Sequence, residues 1–230
     1  KTSKGEITKC LKLAIDTKAF NFNQEFLKDI SGKLYPLEIL SSNVLTLSLQ
    51  RYGQNERSLF SFLESTDHTG LTKFNRQENP FYNLSNVYDY LNFNFYSFLT
   101  SKYNPDFSSW SSIRSAIEEV ERAFVSNIND YLKAVKTIGL LNNFAASGSI
   151  LDFQFLTDYL ETACGVTDAR KVISNLESKN IIRYRSHSKR YILFEGTDLD
   201  IQSALLEAGN KISEVADVTT LLNKHIQFNP

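Results

Sequence analysis

Glycine and proline are scarce in this chain, nine and four among 230 residues, and one of the prolines is the last residue. Between these few breaks apolar residues recur at three- and four-residue steps, the period of an amphipathic helix. Ile7, Cys10, Leu11 and Ala14 share one helical face, and Phe22, Phe26, Leu27 and Ile30 mark a second helix that stops at Ser31-Gly32. Pro36 suits the first turn of a third helix, where a missing N–H costs nothing, and Leu37, Leu40, Val44 and Leu47 extend its stripe to a cap at Gly53. A fourth helix follows Gln54-Asn55 and stops near Asp67-His68-Thr69-Gly70. Val87, Tyr90, Leu91, Phe95 and Phe98 space a fifth, whose many aromatic side chains are expected in the core. Ile113, Ile117, Val120 and Phe124, entered through Trp110, space a sixth.

The last third changes character. Helices are expected over 134–144, 153–164 and 169–179, with Asp152 and Asp168 as N-caps, then strands over 181–185 and 191–194 joined by a polar turn. Helix, helix, helix, strand, turn, strand is the order of a winged helix-turn-helix. A further helix over 201–206, opened by Asp198 or Asp200, continues the chain. The expected fold class is therefore mainly α: a helical bundle over 1–131, then over 132–230 a winged helix with a small β-hairpin and a C-terminal linking helix. No internal repeat or low-complexity tract interrupts it.

Charge excludes more than it assigns. With 25 Lys and Arg against 26 Asp and Glu, nothing global favours nucleic acid or anionic lipid, so such a partner needs a local patch. No stretch approaches the ~20 apolar residues of a spanning helix and no leader pattern is present, which points to a cytosolic setting without a membrane partner. Cys10 and Cys164 stand far apart with no ligand-spaced neighbours, and read as buried or incidental thiols rather than a disulfide or zinc ligands. His68, His187 and His225 are isolated and read as loop or tail residues, so neither a triad nor a metal hydrolase is supported. Glu118, Glu119 and Glu121 read as the solvated side of a helix. Gly32-Lys33 is no phosphate loop, because G-x-x-x-x-G-K-[ST] needs glycine at 27 and a hydroxyl at 34, and both positions are Leu. The chain begins at Lys1 and contains no Met, which suggests a piece of a longer polypeptide.

One local asymmetry stands out. Between Val166 and Phe194 lie Arg170, Lys171, Lys179, Arg183, Arg185, Lys189 and Arg190 against only Asp168 and Glu177, a local charge of +5. If Ala169, Val172, Ile173 and Leu176 face inward, then Arg170, Lys171, Ser174, Asn175 and Ser178 face outward, residue types that reach base edges and phosphates of duplex DNA. Arg183, Arg185, Lys189 and Arg190 would then grip the adjacent backbone. The alternative is a winged helix that serves only as a packing module, or a scaffold docking other protein subunits. Arg57 is equally open on spacing alone: exposed, in a structural ion pair, or reaching a phosphate with its guanidinium fork.

A resemblance narrows this. Leu34-Tyr35-Pro36-Leu37, then Gly53-Gln54-Asn55-Glu56-Arg57-Ser58-Leu59-Phe60-Ser61-Phe62-Leu63, Val87-Tyr88-Asp89-Tyr90, Val135-Lys136-Thr137-Ile138-Gly139-Leu140-Leu141 and Tyr191-Ile192-Leu193-Phe194-Glu195-Gly196-Thr197-Asp198 occur in order over 34–206. Together they resemble the region after the nucleotide-binding core of large bacterial AAA+/STAND-like P-loop ATPases, including those of BREX-like anti-phage defence. The resemblance implies a helical lid followed by a winged helix that report nucleotide state, with Pro36 opening a lid helix near the nucleotide and Arg57 sensing phosphate. It also implies that ATP and Mg belong to a core of the same polypeptide. This chain lacks the P-loop, and alone should neither bind ATP well nor hydrolyse it.

Overall fold

A computed structural model describes residues 4–53, 56–77 and 79–194, and for Glu56 and Arg57 the backbone only. The described residues are mainly helical: α1 (Lys4–Asp16), α2 (Gln24–Ile30), α3 (Ile39–Tyr52), α4 (Glu56–Glu64), α5 (Leu84–Leu99), α6 (Phe107–Ala123), α7 (Ile128–Phe144), α8 (Phe153–Thr162) and α9 (Ala169–Ser178). A single 3-10 turn, Leu71–Lys73, lies between α4 and α5. Two strands, β1 (Ile182–Arg185) and β2 (Arg190–Leu193), close the described chain. The expected linking helix over 201–206, its capping candidates Asp198 and Asp200, and His225 lie outside the described residues.

Local chemistry sets most helix starts. Asn23 accepts from the amides of Glu25 and Phe26 ahead of α2. Asn83 and Asn86 form a reciprocal capping box on α5. Asp152 accepts from Phe155 N at 2.9 Å and Asp168 from Lys171 N at 3.2 Å, as their positions before apolar runs predict. Gly53 does cap α3. The start of α3 corrects the sequence reading, because Pro36 is outside the helix. It follows a cis peptide bond after Tyr35, its carbonyl accepts from Tyr82 N at 2.8 Å, and the N-cap is Glu38.

The central element is α7. Tyr131, Ala134, Val135, Thr137, Ile138, Leu140, Leu141 and Phe144 bury it on nearly every side, and it packs against α5, α6, α9 and β2. Its contact with α6 is close at Gly139, where a Cβ would run into Ile113 Cγ1 and lie 2.8 Å from Ile113 Cδ1. The helix begins six residues before the expected position, at Ile128, behind Asn127 in the left-handed region. The expected boundary at 131/132 therefore falls within α7, and one apolar core extends from Cys10 to Leu193.

In the last third, α9 packs on α8 and against β1 of the antiparallel hairpin, which is paired from Ile182 with Leu193 to Arg185 with Arg190. Leu151 adds one rung on the far side of β2: its amide donates to Lys189 O and its carbonyl accepts from Tyr191 N. Backbone bonds tie this third to the first, with Ala146 N donating to Ala19 O and Ile150 N to Thr17 O, both at 2.8 Å.

Aromatic placement is divided. Tyr82, Tyr88 and Tyr90 are buried as expected, but Phe93 and Tyr96 on the outer side of α5 are 53% and 55% exposed, and Phe26 of α2 is 60% exposed. Periodicity alone marks a face of a helix, and what covers that face is decided by elements far away in sequence.

Candidate functional site

On α9, Ala169, Val172, Ile173 and Leu176 are buried, which turns Arg170, Lys171 and Ser174 to solvent. The Arg170 guanidinium lies 5.9 Å from the Phe153 ring, at the outer edge of cation–π range. Asn175 departs from its expected role. It is half-buried, and its Nδ2 donates to Tyr131 Oη at 2.8 Å, while the Tyr131 ring stacks on Phe124 at 3.8 Å between centroids. That amide is committed to joining α9 to α7.

The hairpin divides its cations in the same way. Arg183 and Lys189 are exposed, Lys189 in the left-handed region of the turn, and Arg185 is half-buried. Arg190 points inward. One terminal nitrogen donates to Leu141 O at 3.3 Å, a carbonyl near the end of α7 that also accepts from Ala145 N at 2.9 Å, and its Nε is buried without a partner. Burial lowers its pKa. The expected phosphate grip therefore reduces to Arg183 and Lys189 on the hairpin and Arg170, Lys171 and Ser174 on α9, with Arg185 partly accessible.

Of the two lid candidates, Arg57 stands in the first turn of α4, and Pro36 stands three residues ahead of α3. The residue that sequence reasoning missed is between Pro36 and α3. Glu38 is 2% exposed and accepts from Leu40 N at 2.7 Å, Ser41 N and Tyr159 Oη at 2.8 Å. Tyr159 Oη in turn accepts from Leu84 N, the first amide of α5, at 3.0 Å. One buried carboxyl thus joins the starts of α3 and α5 to the middle of α8. Burial is the dominant influence and pushes the Glu38 pKa up to about 7, against the hydrogen bonds donated to it. The only sequence signal was a carboxylate just ahead of an apolar helical run.

Cys10 and Cys164 are both free and buried. Burial raises both thiol pKa values, that of Cys164 to about 12, so neither has thiolate character at neutral pH. Among the described residues no three His, Cys, Asp or Glu side chains are grouped to hold a metal ion. None of the described helices is long and apolar enough to cross a membrane. Glu118, Glu119 and Glu121 are exposed on α6, as predicted. No family model, no curated protein and no solved structure matches this chain.

Proposed function

We propose that this chain is the helical lid and winged-helix region of a P-loop ATPase of a bacterial defence system, working in the cytosol to relay nucleotide state from an ATP-binding core of the same polypeptide. The observation that carries the reading is the buried bridge from Glu38 through Tyr159 to Leu84. A relay needs its input and output elements to move together, and this bridge couples the starts of α3 and α5 to α8 through groups that cannot separate without leaving buried polar atoms unpaired. Two further features support it. The order α7, α8, α9, β1, β2, with the Leu151 rung beside β2, is consistent with the winged-helix reading. The backbone of Arg57 stands in the first turn of α4, and the resemblance assigns its guanidinium to a phosphate supplied by the core. ATP and Mg are held by that core in this reading, and the residues here bind neither alone.

The test is ATP turnover by the complete natural polypeptide. Arg57→Ala is expected to lower kcat at least about tenfold, the effect of losing ~1.4 kcal/mol of transition-state stabilisation, with the melting temperature unchanged. Turnover equal to that of the unsubstituted protein removes Arg57 from the sensing role. A polypeptide without G-x-x-x-x-G-K-[ST] removes the ATPase reading altogether.

A second reading is favoured by a separate observation, the exposed cations Arg170, Lys171, Arg183 and Lys189 within one short stretch. In it the α9 face and hairpin hold duplex DNA, through phosphates more than bases.

A further inference from the structure

A cavity of about 750 Å³ opens between the segment around the 3-10 turn and the outer side of α5. We propose that it binds an extended, uncharged stretch of polypeptide of four to five residues, held by side-chain amides along its length and by aromatic rings at one end.

The dimensions come from α5. Asn86, Asp89, Asn92, Phe93 and Tyr96 line the cavity and fall on one face at helical spacing. Ten residue steps from Asn86 to Tyr96 make a wall ~15 Å long at 1.5 Å per residue. An extended chain advances ~3.3 Å per residue, so four or five residues span it. The opposite wall is the segment bearing Thr69, Lys73, Asn75 and Asn79. Tyr82 fixes the two walls to each other: its Oη donates to Thr69 O at 2.7 Å and lies 3.3 Å from Asn86 O, so the cleft is formed before any guest arrives.

The chemistry of the walls selects the guest. Thr69 and Asn79 line the opposite wall with a hydroxyl and a carboxamide. Asn86 spends its Oδ1 on the capping box, which leaves its N–H groups, and Asn92 adds another carboxamide. Side-chain amides offer both donors and acceptors, the complement of a peptide unit. Among the described residues formal charge is nearly cancelled, because Asp89 is paired with Lys136 at 2.6 Å and Lys73 is the one lysine or arginine lining the cavity. A nucleic-acid strand or polyphosphate needs several cations, so an uncharged guest is favoured. At one end Phe93 and Tyr96 are more than half exposed, and the His68 ring stands edge-on to Phe93 at 4.9 Å. These rings suit an apolar or aromatic guest side chain.

The experiment is fluorescence anisotropy of labelled Ala-Ala-Phe-Ala-Ala, blocked at both ends, with the full chain. Saturable binding by about 1 mM is expected, weakened about fivefold by Asn92→Ala and by Phe93→Ala. Both substituted side chains are solvent-facing or half-buried on α5, and matched melting temperatures establish that the fold persists. No saturation by about 1 mM, or saturation unaffected by both substitutions, overturns the proposal. So does displacement of the peptide by pentathymidylate or by a neutral trisaccharide at equal concentration, which assigns the cleft to a nucleic acid or a glycan instead. The relay reading is tested by ATP turnover and this proposal by peptide binding, so the failure of one is distinguishable from the failure of the other.

Discussion

Tyr159 of α8 donates its hydroxyl to Glu38, 121 residues earlier, at 2.8 Å, and neither group reaches water. Four helix-start and side-chain contacts meet at this pair, and its energetics depend on pH. Burial raises the Glu38 pKa from the ordinary 4.5 to about 7. The folded state therefore holds a proton that the unfolded chain releases. Stability from this group is fully present below about pH 4.5 and is lost as pH rises through about 7, by about 3 kcal/mol across the window. Urea unfolding at a series of pH values between 5 and 8 should show this decline. Glu38→Gln, which retains an acceptor oxygen and cannot ionise, should flatten it. A slope unchanged by that substitution assigns the pH dependence to other groups.

Tyr52 joins three elements in a similar way. Its Oη donates to Asp106 at 2.6 Å and accepts from Trp110 Nε1 at 3.0 Å and Asn143 Nδ2 at 3.3 Å. Asp106 also receives Arg51 at 2.9 Å. Tyr52→Phe leaves a buried indole N–H without its acceptor, so a loss of about 1–3 kcal/mol is expected. Trp110 is the only tryptophan in the chain, so its fluorescence during urea unfolding reads the effect at the site itself. An unchanged midpoint means that Trp110 finds another acceptor.

The close approach of α6 and α7 gives a second stability prediction. Gly139→Ala places a methyl group against Ile113, and overpacking of this kind costs about 1–3 kcal/mol. Ile113→Val removes one methyl and should recover part of that loss in the double variant, although by itself it destabilises the core. Additive losses in thermal unfolding would place the strain elsewhere.

Where the chain was legible, the signal was local. The four inward residues of α9 and the caps Asp152 and Asp168 follow from spacing and from carboxylates ahead of apolar runs, and the hairpin from two β-rich runs flanking Ser186–Arg190. What could not be read depends on distant partners. Pro36 resembles a helix start, yet Glu38 takes the amides of Leu40 and Ser41 because Tyr159 and the surrounding core exclude water from it. Arg190 has the look of a wing cation, but Leu141 O lies within its reach 49 residues away. Spacing puts Asn175 outward on α9, but its bond to Tyr131 on α7 leaves it half-buried. Phe98 repeats like a core residue and is exposed, as are Phe93 and Tyr96 on the same helix.

These same distinctions sharpen the test of DNA binding. On the sequence count Arg170, Lys171 and Arg190 are equivalent cations, whereas the structure makes the first two exposed and the third an internal donor to Leu141. Arg170→Ala and Lys171→Ala should each weaken binding to a duplex of about 20 base pairs and reduce the dependence of log K on log salt by about 1, without moving the melting temperature. Arg190→Ala should instead lower the melting temperature by removing a half-buried side chain and its bond to Leu141 O, with little change in the salt slope. Anisotropy with labelled duplex from about 50 to 200 mM salt measures both quantities. If the duplex does not bind at the lowest salt, the exposed cations of α9 do not form a nucleic-acid face, and the relay reading stands without a DNA partner.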